Sequence, residues 1–382
     1  MKSQLQGSIV MSAIVLFFGC NTGDGTCGDG ILQRSLGEVC EPGLLLEATC
    51  EALGHYPGTL ACGDDCGYSY VGCGGFCGDG RVQADFGEVC DADALNGRTC
   101  FNLGFNGGTL ACNADCTTLD TTGCELVDMV EVPGGTFQRD DDPANLSTVS
   151  GFLMSRSEIT RWQYLMVVGH DPTDETYSSG PGDPVQNVTW IEAAIFCNRL
   201  SREEGRDPVY ELDNPYNTRV MSVDHSADGY RLPTEMEWMW AAMGADTAAH
   251  GEVNLTGHLA PFSGSDGDNA PGDCAVFGYA FPEEEGRTTT NRTNPACSRL
   301  PNELGLCDLS GNVWEWTGDG FFDWPAGPLT DYCLNNVLGI AFRVIKGGHW
   351  ANPAHSLAIS FRVDAREIDR SYGVGFRVVR RR

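Results

Sequence analysis

Two sets of side chains in this 382-residue chain have types and spacings that bear directly on chemistry: its 18 cysteines and a pair of histidines. Cys27, Cys40, Cys50, Cys62, Cys66 and Cys73 recur as Cys77, Cys90, Cys100, Cys112, Cys116 and Cys124. The intervals are 13, 10, 12, 4 and 7 in the first copy and 13, 10, 12, 4 and 8 in the second. Cys-Gly-Asp-Gly opens each copy, and Gly-Glu-Val-Cys and Gly-Thr-Leu-Ala-Cys recur within it, so the unit is duplicated. So short a segment buries too little apolar surface to fold on its core alone. Disulfides supply the missing stability, each contributing about 2–4 kcal/mol by constraining the unfolded chain. Spacing alone does not choose among the pairings that six cysteines allow. Zinc is the rival, because Cys-x3-Cys recurs, but no histidine stands at a repeating position. The Asp-Gly turns offer oxygens to calcium and are equally explained as ordinary turn chemistry.

Five further cysteines, Cys197, Cys274, Cys297, Cys307 and Cys333, lie beyond the repeats, and an odd number leaves at least one unpaired. Cys197 is the expected free thiol, with Cys274–Cys297 and Cys307–Cys333 as the expected bridges. His349 and His355 stand six residues apart, and imidazoles hold copper, iron or zinc. Asp364 on the following segment is a candidate third ligand. The plainer reading, loop histidines satisfied by backbone or solvent, is preferred.

The compartment must suit this chemistry. Met1 to Gly19 carry Lys2 and a short apolar run from Ile9 to Phe18, too short for a span of about 20 residues but shaped like a secretory signal. Gly19-Cys20 resembles a bacterial lipoprotein processing site, which makes Cys20 the expected lipidated residue and 20–26 a short linker. The expectation is an exported lipoprotein of the outer membrane or cell surface, attached through its lipid. Acidic residues outnumber basic ones 53 to 24, a net charge of −29, so such a surface repels nucleic acid and no nucleic-acid partner is expected.

The elements that position the rest are legible from caps and periodicity. Residues 27–75 and 76–125 are the two cysteine-rich repeats, and 126–382 is long enough to build one full core. Met129 to Phe137 reads as strand, turn, strand. Thr160 with Gln163, Thr189 with Glu192 and Thr234 with Glu237 have capping-box spacing and predict three helix starts. Behind Thr189, Trp190, Ala193, Ala194, Cys197 and Leu200 fall at helical spacing, which turns Cys197 to a core. Strands are expected near Arg343–Lys346, Ile359–Val363 and Gly375–Val379. Helices and short strands among Gly/Pro-rich loops make an α+β domain.

Eight motifs then appear in order: Val132-Pro133-Gly134-Gly135-Thr136-Phe137, Glu158-Ile159-Thr160, Pro184-Val185-Gln186-Asn187-Val188-Thr189-Trp190, Arg231-Leu232-Pro233-Thr234-Glu235 with Glu237-Trp238, Asn302-Glu303-Leu304-Gly305-Leu306, Gly311-Asn312-Val313-Trp314-Glu315-Trp316, Lys346-Gly347-Gly348-His349-Trp350, and Gly375-Phe376-Arg377-Val378-Val379. On these, 126–382 resembles the formylglycine-generating enzyme family, the sulfatase-modifying factor domain, related to ergothioneine-synthesis and pyoverdine-maturation enzymes. The resemblance implies a C-type-lectin-like fold. The repeats resemble cysteine-rich modules on myxobacterial surface proteins, which implies a stalk or spacer.

The family's characteristic enzyme oxidises a peptide cysteine to formylglycine with copper held by two cysteines, soft ligands matched to a soft ion. Position by position, Asn352 and Leu357 occupy those two places, and His349 stands where the family has serine. This argues against copper and against the standard oxidation. The ergothioneine-type iron ligands belong to an additional N-terminal domain, where this chain has its repeats. The resemblance also implies a structural calcium held by Asp308 and Glu315 side chains and the Gly311 and Val313 carbonyls, hard oxygens of the kind calcium takes. The leading expectation is a binding domain for a peptide or glycan, with His349, Trp350, Asn352, His355 and Arg362 as candidate groove residues. The alternative is a non-heme oxidase whose metal rests on the His349–His355 pair.

Overall fold

The computed structural model describes residues 27–382 apart from 101, 102, 104, 106, 214–218, 247–252 and 335–340, so the expected signal segment and Cys20 lie outside the described residues. The described residues fall into two compact units, one within 27–103 and 108–124, the other within 104–107 and 125–382.

In the first unit the duplication extends to the bonds. Cys27–Cys66, Cys40–Cys62 and Cys50–Cys73 are matched by Cys77–Cys116, Cys90–Cys112 and Cys100–Cys124. The Cys-Gly-Asp-Gly turns wrap a buried carboxylate. Glu41 Oε2 accepts from the amides of Gly28 and Gly30, and Asp91 does the same for Gly78 and Gly80 at 2.6 and 2.8 Å. Those glycines have positive φ, between 80° and 102°, which lets consecutive amides converge on one anion. The turns are therefore closed by the protein's own carboxylates.

In the second unit all three capping boxes form. They open α1 (Arg161–Val168), α2 (Trp190–Glu203) and α3 (Glu235–Ala242), with each threonine side chain accepting from the amide three residues on. Gly169, at φ 85°, ends α1 in the left-handed conformation that a side chain resists. α2 is amphipathic and turns Cys197 fully inward, where burial pushes its thiol up and keeps it inert. α3 is apolar nearly all round and buried throughout, so it is packed on several sides. Its Trp240 indole donates to the Pro133 carbonyl at 2.7 Å.

The sheets around these helices are small. Met129–Val132 and Gly135–Gln138 are both strands, but they join different sheets. The first pairs with Phe152–Ser155, whose other edge takes Val379–Arg381, and the second pairs with Leu146–Val149. The central sheet runs Val363–Arg366, Phe342–Lys346, Trp314–Gly320, Val374–Gly375. Trp314–Gly320 is buried along its whole length, and the Trp190 and Trp316 indoles lock it to α2 through the carbonyls of Thr317 and Val188.

Three expectations need correction. The strand placed at Ile359–Val363 starts only at Val363. Lys346 Nζ takes the Ile359 and Phe361 carbonyls at 2.8 and 2.7 Å, so they do not enter a ladder. The strand placed at Gly375–Val379 is two strands in two sheets, with the chain crossing between them at Phe376–Val378. The bridges Cys274–Cys297 and Cys307–Cys333 do not form. Cys297 bonds Cys307 instead, leaving Cys197, Cys274 and Cys333 as free thiols. The Cys297 amide donates to Asp308, the residue after Cys307, which draws the two Cα atoms to 5.1 Å.

Candidate functional site

The loop entering the central strand collects buried charge. Asp308, Gly311 and Asn312 all have positive φ, and a Cβ on Gly311 would lie 2.4 Å from the Val276 carbonyl oxygen, so only glycine fits there. Glu158, Asp308, Glu315 and Arg377 are each at most 3% exposed. Arg377 grips both Glu315 oxygens at 2.6 and 2.7 Å, and the Trp238 indole donates to one of them at 2.7 Å. Glu158 accepts from the Asn312 side chain and the Val313 amide. Asp308 Oδ2 accepts from the Cys297 amide at 2.7 Å, whereas Asp308 Oδ1 is buried with no partner.

Three buried carboxylates thus share the Arg377 guanidinium, with Arg299 a further positive charge acting on Asp308. Burial, with Asp308 and Glu315 beside it, pushes the Glu158 carboxyl well above the usual range, and burial lifts Asp308 to about 6. An orphaned carboxylate oxygen amid surplus negative charge is what a hard cation would relieve. The residues fit calcium in that sense. Glu315, expected as a ligand, has both oxygens engaged by Arg377.

The second element is the turn that follows Phe342–Lys346. Gly347 and Gly348, at φ 94° and 79°, reverse the chain. The Gly347 carbonyl accepts from Gly311, and Trp350 donates its amide to the Asn312 carbonyl, tying this turn to the carboxylate loop. His349 is half-buried, and burial depresses its imidazole to about 4, so it is neutral at pH 7 with Nδ1 accepting from the Ala351 amide. Asn352 accepts from the His349 amide through Oδ1 and from Gly278 through its carbonyl. Leu357 is fully buried with Phe262, Cys274, Ala275 and Phe277.

The remaining expected residues diverge. His355 is exposed and meets the Phe361 ring edge-on. Asp364 is exposed on its strand. Among the described residues, neither histidine belongs to a convergent group of three metal-ligating side chains. The two such groups, Cys27-Glu41-Cys66 and Cys77-Asp91-Cys116, have their sulfurs in disulfides. Arg362 is turned to Glu235 Oε2 at 2.8 Å and the Phe322 carbonyl, with its guanidinium over Trp324 and Phe321. His349, Trp350 and Asn352 are brought together; His355 and Arg362 look elsewhere.

Sequence reasoning missed three tyrosines. Tyr177, Tyr279 and Tyr372 surround Trp350 with ring centroids 5.7, 5.7 and 5.9 Å from it. None lies in a motif, and their separation along the chain leaves no local signal. Glu158 was quoted only as part of a motif, because its role depends on a loop more than a hundred residues away.

The chain matches the family described as "Sulfatase-modifying factor enzyme 1-like domain" over residues 117–382. It is 30% identical to "Chaperone protein LppX" of Paenibacillus barcinonensis over 279 residues, 66% of this chain and 89% of that protein. It is 28% identical to "Inactive C-alpha-formylglycine-generating enzyme 2" of Bos taurus over 296 residues, 66% of this chain and 88% of the relative. The solved structure of Treponema denticola variable protein 1 superposes with a TM-score of 0.55 at 26% identity, covering 66% of this chain and 95% of that one. The motifs quoted from the sequence, the α+β architecture and these likenesses agree: this chain belongs to the sulfatase-modifying factor family.

Proposed function

We propose that this is an exported, lipid-anchored surface protein whose C-terminal unit is a calcium-bearing binding module and not a copper oxidase. One observation carries the reading. The two positions at which the family's oxidase holds copper are an amide locked into its own loop, Asn352, and an aliphatic side chain sealed in the core, Leu357. Neither is a soft ligand, and no free cysteine stands in the turn. The bovine relative carries "inactive" in its name, so loss of that reaction has a parallel in the family.

Calcium would be held by Asp308 Oδ1 and the Gly311 and Val313 carbonyls, with Glu315 adding negative charge from its pair with Arg377. It would supply charge balance to the carboxylate cluster and fix the loop that carries Trp350. The ligand surface is His349, Trp350 and Asn352, without His355, which faces the Phe361 ring. Arg362, committed to Glu235, is left out of it. A polypeptide is favoured over a glycan, because the Paenibacillus relative is named a chaperone protein. The disulfide repeats read as a stalk between the lipid at Cys20 and this module.

The test is a metal inventory of the full chain purified without added metal, together with incubation with a cysteine peptide and screening on peptide and glycan arrays. Calcium alone, no aldehyde product and saturable peptide binding are expected. Stoichiometric copper or iron that disappears in a His349→Ala/His355→Ala variant would overturn the reading, as would turnover of the peptide. Saturable binding confined to the glycan array would reassign the ligand.

A further inference from the structure

Four rings from four distant segments converge at the surface of the second unit. Trp350 is 3% exposed and forms the floor, whereas Tyr279 and Tyr372 are 39% and 42% exposed and flank it. Tyr177 stacks against Tyr372 with centroids 4.2 Å apart and planes 25° from parallel, which fixes that ring in place. The Trp350 indole N–H is buried without a hydrogen-bond partner. Exposed rings of this size held by other rings, with a donor left over, are poorly explained as packing alone.

Charge distinguishes what the patch would take. The loop that carries Tyr279 continues into Glu283-Glu284-Glu285. Glu284 Oε1 accepts from the Ala354 amide at 3.2 Å, which ties this acidic run to the turn bearing Trp350, and Glu283 and Glu285 stay exposed. Arg287 in the same loop is turned back onto the Thr288 carbonyl. His349 beside the rings is neutral at pH 7 and adds no opposing charge. Ring faces carry a negative quadrupole that attracts cations, most of all soft, weakly hydrated ones. The net charge of −29 draws such ligands to the surface.

We infer that Tyr279, Tyr372 and Trp350, with the acidic Glu283–Glu285 run in the loop that carries Tyr279, form a binding seat for an organic ammonium group, presented by a quaternary ammonium headgroup or by a lysyl side chain. This rests on the reading that the turn at 349–352 is the module's ligand surface, and it names the chemistry recognised there. The cation lies against the exposed tyrosine faces, above the Trp350 floor.

The full chain is titrated with choline, with Nα-acetyl-lysine amide and with 3,3-dimethylbutan-1-ol, the uncharged isostere of choline, following indole fluorescence and calorimetry. At least one cation should saturate, with the alcohol binding about tenfold more weakly. Choline above the lysine derivative assigns a headgroup, and the reverse assigns a lysine side chain. Tyr279→Phe and Tyr372→Phe should stay within about twofold, and the corresponding alanine variants should weaken binding about tenfold. Equal affinity for choline and the alcohol, or no saturation by either cation, overturns the inference, and this arm needs only the wild-type chain. Peptide-array binding that persists without any cation preference removes this inference alone. Cation binding with silent arrays removes the polypeptide reading and leaves this one standing.

Discussion

Arg377→Met tests the account of the buried cluster most directly. Methionine approximates the length of the arginine stem and removes the guanidinium paired with Glu315. That arginine is fully buried, bonds both Glu315 oxygens, and donates to the carbonyls of Cys307 at 2.8 Å and Ser155 at 3.2 Å. Removing one member of such a pair strands a carboxylate beside two others and costs about 3–5 kcal/mol. In a unit of this size each kcal/mol moves the midpoint by about 2–4 °C, so the melting temperature should fall by about 6–20 °C. Indole fluorescence is the assay, because all eight tryptophans lie beyond residue 125 and report the second unit alone. Calcium should then raise the variant's midpoint by more than the wild type's, because Glu315 is freed from its pair and the cation replaces the lost charge. A midpoint within about 2 °C of wild type in calcium-free buffer would refute the reasoning, since it would mean that the three carboxylates need no counter-charge.

Gly311→Ala should destabilise the second unit by about 2–4 kcal/mol in chemical denaturation, because φ is 86° and the added methyl meets a backbone oxygen. His349 is depressed to about 4 in the folded protein against 6.5 when unfolded, so the stability it contributes is present above about pH 6.5 and lost as pH falls toward 4. That contribution is at most about 2–3 kcal/mol, and His349→Gln should flatten the acid limb of the stability curve measured by urea titration. Asp319 acts in the opposite sense. Burial, then Glu235, lift it to about 7, so its contribution is full below its unfolded value near 3.8 and is lost as pH rises toward 7; Asp319→Asn should remove that slope. Mild reductant should unravel the first unit, which depends on six disulfides, while the second, with Cys297–Cys307 alone, keeps its indole signal. Loss of the indole signal first would show that the stability is not divided in this way.

What could be read in advance is what depends on neighbours along the chain. A capping box needs only a threonine and an acid or amide three residues later, so Thr160, Thr189 and Thr234 announced α1, α2 and α3. The inward face of α2 followed from its 3.6-residue period. The duplicated cysteines announced a disulfide framework, although not its pairing. Asn352 and Leu357, which the resemblance puts where the family's oxidase has its sulfur pair, could be read from the chain that follows the Lys346–Trp350 motif. The sequence determined these because each is a one-dimensional pattern with a local physical cause.

Tertiary structure alone decided the rest. Cys297 found Cys307 because its amide reaches Asp308. Arg362 is held by Glu235 and two aromatic rings, and Glu315 is paired with Arg377. Tyr177, Tyr279 and Tyr372 gather round Trp350 although the chain between them carries no shared period. Each outcome is a competition among groups brought together from distant segments. Burial decides it by making every unpaired charge or donor costly, and that cost exists only after the core has closed.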